Sequence, residues 1–173
     1  GGTYTHAVAM SACVQCTPGK YASGSGNTGC VACAAGSIAT VKGASVCKQC
    51  DAGYYSLIGS SACSSCTAGK YSQANAASCV NCKAGTYTSA SNSAVCNSCA
   101  SGYISTLGSS VCTVCPVGRY AGGVGNTVCT LCAAGTYAPM TGLGACPQCN
   151  AGYYSNSGSS SCSDCLKSTY SYK

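Results

Sequence analysis

The sequence predicts a small disulfide-rich tandem-repeat rod, solenoid-like, with little regular secondary structure beyond short β-strands, hairpins and turns. Three observations predict it. Cysteine supplies 20 of the 173 residues, well above the roughly 8–10% that marks a disulfide scaffold. Only 6% of the residues are charged, where an ordinary soluble domain carries roughly 25%. And every cysteine belongs to a C-x-x-C pair that recurs every 16 or 17 residues. A conventional single-core α/β or helical enzyme is excluded by this composition. A charged disordered tail is excluded too, since mean hydropathy is +0.19 and charge is low.

The repeat is read from its fixed positions. The pairs are Cys13 and Cys16, Cys30 and Cys33, Cys47 and Cys50, Cys63 and Cys66, Cys79 and Cys82, Cys96 and Cys99, Cys112 and Cys115, Cys129 and Cys132, Cys146 and Cys149, and Cys162 and Cys165. Three residues after the second cysteine stands Gly19, Gly36, Gly53, Gly69, Gly85, Gly102, Gly118, Gly135 or Gly152, replaced by Ser168 in the last repeat. Two residues further comes an aromatic or Ile: Tyr21, Ile38, Tyr55, Tyr71, Tyr87, Ile104, Tyr120, Tyr137, Tyr154 and Tyr170. Four residues before the next pair comes Gly26, Gly43, Gly59, Asn75, Asn92, Gly108, Gly125, Gly142 or Gly158. Gly and Asn tolerate positive φ best, so this site is expected to be a left-handed turn residue. The glycines and tyrosines of G-x-Y are expected to serve turn formation and packing.

A longer period overlies the first. Cys13, Cys63, Cys112 and Cys162 are spaced 50, 49 and 50 apart, which places Lys20, Lys70 and Arg119 at equivalent sites, and Tyr54, Tyr103 and Tyr153 likewise. Either three repeats make about one superhelical turn, or a three-repeat ancestral segment was duplicated without structural meaning. In domain terms, residues 1–12 read as the tail of a preceding repeat, 13–165 as the tandem array, and 166–173 as the truncated start of another. Both ends are thus expected to fall inside a repeat of a longer array.

A repeat this short cannot bury a core alone and needs staples. Disulfides are the expected staple, each closing a loop worth roughly 3 kcal/mol in the chain-entropy account. The tyrosine rings are expected over the disulfides, apolar face inward and hydroxyl toward water. Zinc is the rival, because C-x-x-C pairs also form ribbon sites, although the gap of 12 or 13 residues is slightly short. A redox C-x-x-C lacks its βαβ setting. Two pairings suit a uniform repeat: the second cysteine of one pair with the first of the next, which leaves Cys13 and Cys165 to partners outside this stretch, or a crossed scheme of first with first and second with second.

Catalysis has little to work with. His6 is the single histidine and Asp51 and Asp164 are the only acids, so neither a triad, a carboxylate pair nor a calcium cage is expected. No cofactor or metal is predicted. The net charge is +6, but the positives are scattered singly, unlike a nucleic-acid footprint. No run of 18 apolar residues is present, so no membrane span is expected in this segment. Serine-rich stretches such as 155–161 could carry O-glycans.

The pattern CxxCxxGxYxxxxGxxxCxxC resembles the ephrin-receptor-like (GCC2/GCC3) cysteine-rich repeat, most clearly in CTPGKYASGSGNTGCVAC (16–33) and CPVGRYAGGVGNTVCTLC (115–132). The resemblance covers essentially the whole chain and departs from the pattern at Ile38, Ile104 and 166–168. It implies an extracellular, disulfide-stapled rod. The expected role is structural and non-enzymatic: a cell-surface hair, flagellar appendage or matrix fibril that self-assembles or contacts other fibre proteins or polysaccharide. The alternative is a receptor or adhesin stalk or ligand-binding ectodomain segment.

Overall fold

The computed structural model describes residues 1–5 and 13–165. His6, the serine at 168, Tyr170 and the expected truncated repeat at 166–173 lie outside the described residues. The chain divides into two compact units, Gly1–Cys82 with Thr88–Cys96, and Lys83–Tyr87 with the chain from Asn97 onward. Each is built from the same small hairpin.

The hairpin follows directly from the repeat. Its first strand is the last two residues of G-x-Y, its second the two residues between the next paired cysteines. Thus Thr3–Tyr4 pairs with Val14–Gln15, Lys20–Tyr21 with Val31–Ala32, Ser37–Ile38 with Lys48–Gln49, Tyr54–Tyr55 with Ser64–Ser65, and Lys70–Tyr71 with Val80–Asn81 in the first unit. Thr86–Tyr87 pairs with Asn97–Ser98, Tyr103–Ile104 with Thr113–Val114, Arg119–Tyr120 with Thr130–Leu131, and Tyr153–Tyr154 with Ser163–Asp164 in the second. All are antiparallel. At the remaining position only the bridge Thr136↔Gln148 forms. The reason is Pro147, which accepts a hydrogen bond from the Tyr137 N–H at 3.0 Å but has no N–H to return.

The nine disulfides choose between the two pairings. They are Cys16–Cys30, Cys33–Cys47, Cys50–Cys63, Cys66–Cys79, Cys82–Cys96, Cys99–Cys112, Cys115–Cys129, Cys132–Cys146 and Cys149–Cys162. The second cysteine of each pair joins the first of the next, and the crossed scheme does not occur among them. Cys13 and Cys165 are unpaired and exposed, which is where the observed pairing rule leaves the first and last cysteines.

Hydrogen bonding links each hairpin to the next two. The Gly36 N–H donates to Ser56 O of the following hairpin at 2.9 Å, and the Asn75 N–H, two hairpins on, donates to Cys50 O at 2.9 Å. The same pair of bonds recurs from repeat to repeat within each unit, as in Gly118 to Ala138 and Gly142 to Cys115. Within each unit the contacts therefore reach both the first and the second successor. The grouping of the sequence in threes leaves no mark on these bonds.

This packing explains the glycine of G-x-Y. Gly36 sits at φ +85°, and a Cβ there would collide with the backbone carbonyl of Asn75. Asn75 itself holds the turn at φ 61°, the left-handed conformation expected of it. Gly24, by contrast, has φ +70° but open space around it. Gly24→Ala should cost only backbone strain, roughly 1–2 kcal/mol. Gly36→Ala should add roughly 1–3 kcal/mol of overpacking; guanidinium midpoints with the disulfides intact would separate the two. Peptide mapping without reduction should find Cys66 linked to Cys79, and Cys66→Ser with Cys79→Ser should cost about 3 kcal/mol. A fragment joining Cys63 to Cys79 would reject the pairing.

Candidate functional site

Side-chain burial is concentrated in the cysteines. The second cysteine of each pair from Cys16 to Cys132 is at most 1% exposed, whereas the first is half-buried in most repeats. The tyrosines of G-x-Y are partly covered: Tyr21, Tyr55, Tyr71, Tyr87, Tyr120 and Tyr137 are half-buried, and Tyr154 is 50% exposed. Their partner is seen where Ile replaces them. Ile104 packs against Cys115, Ala121 and Cys129, that is, against the next disulfide. The smaller Ile38 sinks to 8% exposure.

One position escaped the sequence reading. The residue directly after the aromatic is Ala22, Ala39, Ser56, Ser72, Thr88, Ser105, Ala121, Ala138 or Ser155, and all are buried. Its carbonyl receives the glycine N–H of the preceding hairpin. Where it is serine, the hydroxyl usually donates back to that hairpin as well: Ser56 Oγ to Ser37 O at 3.1 Å, Ser72 Oγ to Tyr54 O at 3.0 Å, Ser105 Oγ to Thr86 O at 3.0 Å, Ser155 Oγ to Thr136 O at 2.8 Å. The restriction to Ala, Ser and Thr was the available signal. Its meaning, a steric limit between stacked backbones, appears only in three dimensions.

Between successive hairpins the same positions line a groove. In the first unit one groove of 320 Å³ lies among Tyr55, Ser65, Thr67, Lys70, Ser78 and Cys79. Its neighbour of 220 Å³ is lined by Ile38, Lys48, Gln49, Asp51, Tyr54 and Cys63. In the second unit the equivalent groove of 290 Å³ is more apolar, with Tyr87, Ala100, Tyr103, Val111 and Cys112. The aromatic position of one hairpin and the middle G-x-Y residue of the next thus face a shared hollow beside a disulfide. Adjacent Tyr54 and Tyr55 serve different grooves, since successive strand residues point to opposite faces.

The three equivalent cations differ in structure. Lys20 and Lys70 are exposed, while Arg119 is half-buried and its Nη1 donates to Cys129 O at 2.9 Å. Of the other row, Tyr103 and Tyr153 are exposed at 39% and 48%, and Tyr54 is half-buried. In the serine stretch 155–161, Ser155 and Ser157 spend their hydroxyls on backbone carbonyls, whereas Ser160 and Ser161 are exposed.

Sulfurs joined in disulfides are not thiolate ligands, which removes eighteen cysteines from the zinc reading. Among the described residues no group of three or more His, Cys, Asp or Glu is placed to hold a metal ion. Among them, too, no helix is long and apolar enough to cross a membrane.

Residues 69–106 and 102–142 each match the sequence profile of the family described as tyrosine-protein kinase ephrin type A/B receptor-like. Together with the tandem disulfides, this decides the module. Residues 69–142 are ephrin-receptor-like cysteine-rich repeats. Each matched stretch holds two full hairpins and the start of a third, and the five-residue overlap at 102–106 contains the shared Gly102-Tyr103-Ile104 triplet. No curated protein matches the chain. Ephrin-receptor-like repeats are a non-catalytic ectodomain module, and with nine disulfides they point to an extracellular or cell-surface protein.

The buried small residue gives a direct test. Ser72→Ala should cost about 1 kcal/mol for its hydrogen bond, since Ala already fills this site in four repeats. Ser72→Val should cost roughly 1–3 kcal/mol more by forcing the stacked backbones apart. Equal unfolding midpoints for the two variants would contradict this account of the site.

Proposed function

We propose that this chain is a segment of an extracellular structural fibre or filament, such as a surface hair, flagellar appendage or matrix fibril. The observation that carries this reading is the open-ended contact rule: within each unit, repeat after repeat makes the same bonds to its first and second successors. Adding a repeat adds the same disulfide and the same backbone bonds, so length costs no new architecture. Low charge removes long-range self-repulsion between copies, and self-association or contact with other fibre proteins follows from it. Ser160 and Ser161 are the serines of the 155–161 stretch left open for O-glycans.

A second reading is a receptor or adhesin stalk, favoured by the ephrin-receptor-like match. Electron microscopy of the native protein, combined with sedimentation over a range of concentrations, separates the two. Extended particles that associate laterally with rising concentration are expected for the fibre. Extended particles that remain single at every concentration would support the stalk, and compact globules would defeat both readings.

A further inference from the structure

We propose that the groove between Tyr55 and Lys70 binds an acidic sugar unit, a uronate of a polysaccharide chain. Its lining is amphipathic in the way a pyranose requires. The half-buried Tyr55 ring offers an apolar face for the C–H face of the sugar. Ser65, Thr67 and Ser78 offer hydroxyls, each able to donate and accept. Lys70 brings a cation, and its ammonium makes no ion pair or hydrogen bond among the described residues.

Charge distinguishes this groove from the hollows around Asp51 and Tyr87 and from the site of Arg119. In the neighbouring hollow Asp51 offsets Lys48. The Tyr87 and Tyr103 hollow has no cation. At the third equivalent cation, Arg119, the guanidinium is already committed to Cys129 O. The Tyr55 groove therefore combines an unpaired cation, an aromatic wall and three hydroxyls, with no acid in its lining. A carboxylate on the sugar would pair with Lys70 while the ring stacks on Tyr55. This inference rests on the extracellular reading but not on fibre assembly, so it stands or fails independently of the imaging result.

The test is a titration of the full chain with trigalacturonate, followed by backbone amide chemical shifts. Maltotriose and triglutamate serve as the neutral sugar and the acidic peptide. Shifts at Thr67, Lys70 and Ser78 with trigalacturonate, and smaller ones with the other two, are expected. Lys70→Gln should weaken binding about fivefold, the scale of one exposed ion pair. Tyr55→Ile should weaken it by a similar factor while leaving the fold intact, because Ile38 and Ile104 already occupy that position. Lys42→Gln, outside the groove, should change nothing. No shifts, equal shifts with maltotriose or triglutamate, or an equal loss in Lys42→Gln would overturn the proposal.

Discussion

Three different bonds converge on the second cysteine of a C-x-x-C pair at Cys16, Cys33, Cys50, Cys66, Cys99, Cys115 and Cys132, and the rest of the structure hangs from that residue. At Cys50 the N–H donates to Gly36 O at 2.8 Å and closes its own hairpin, the sulfur joins Cys63 of the next, and the carbonyl accepts from Asn75 two hairpins on. Each of these would be weak alone. A backbone hydrogen bond contributes about 1 kcal/mol net, and a two-residue hairpin is not stable by itself. Joined at one buried residue, they hold three hairpins in a fixed relation.

The consequence is a protein without an ordinary apolar core. Among the described residues the buried side chains are cysteines, alanines and small hydroxyl residues, with Ile38 the one large aliphatic exception, so burial of large aliphatic groups contributes little. Covalent loop closure and satisfied backbone groups supply the order instead. Many valines, leucines and isoleucines are then left on the surface, Leu57, Ile58, Leu107 and Val124 all more than 60% exposed. Such a surface is one of the features that support the proposed fibre reading.

The grooves follow from the same economy of side chains. Because the backbones stack at a distance set by glycine and small residues, the larger side chains are displaced to the edges. There the aromatic of one hairpin and the middle G-x-Y residue of the next leave a hollow over a half-buried disulfide. The hollow is a by-product of the repeat, but its lining varies with the freely changing positions, and that variation makes one groove chemically distinct from another.

Much of this was legible in the sequence. Cysteine spacing gave the repeat, the Gly/Asn site gave the left-handed turn, and the ephrin-receptor-like pattern gave the module, because covalent chemistry and positive φ restrict residue choice so sharply that they show in a single chain. The Ala/Ser/Thr site after the aromatic was equally regular, yet its role was invisible, since a small residue has many local explanations and only one tertiary one. Groove residues such as Thr67 and Ser78 carried no signal, for their equivalents include Asp51, Ala100 and Val111. The sequence by itself thus determined the unit, its turns and its chemistry of closure. Only the tertiary structure decided which cysteine joins which, that each hairpin touches its second successor, and which side chains meet across the hollow, because these depend on how far one backbone stands from the next and in what direction the chain advances.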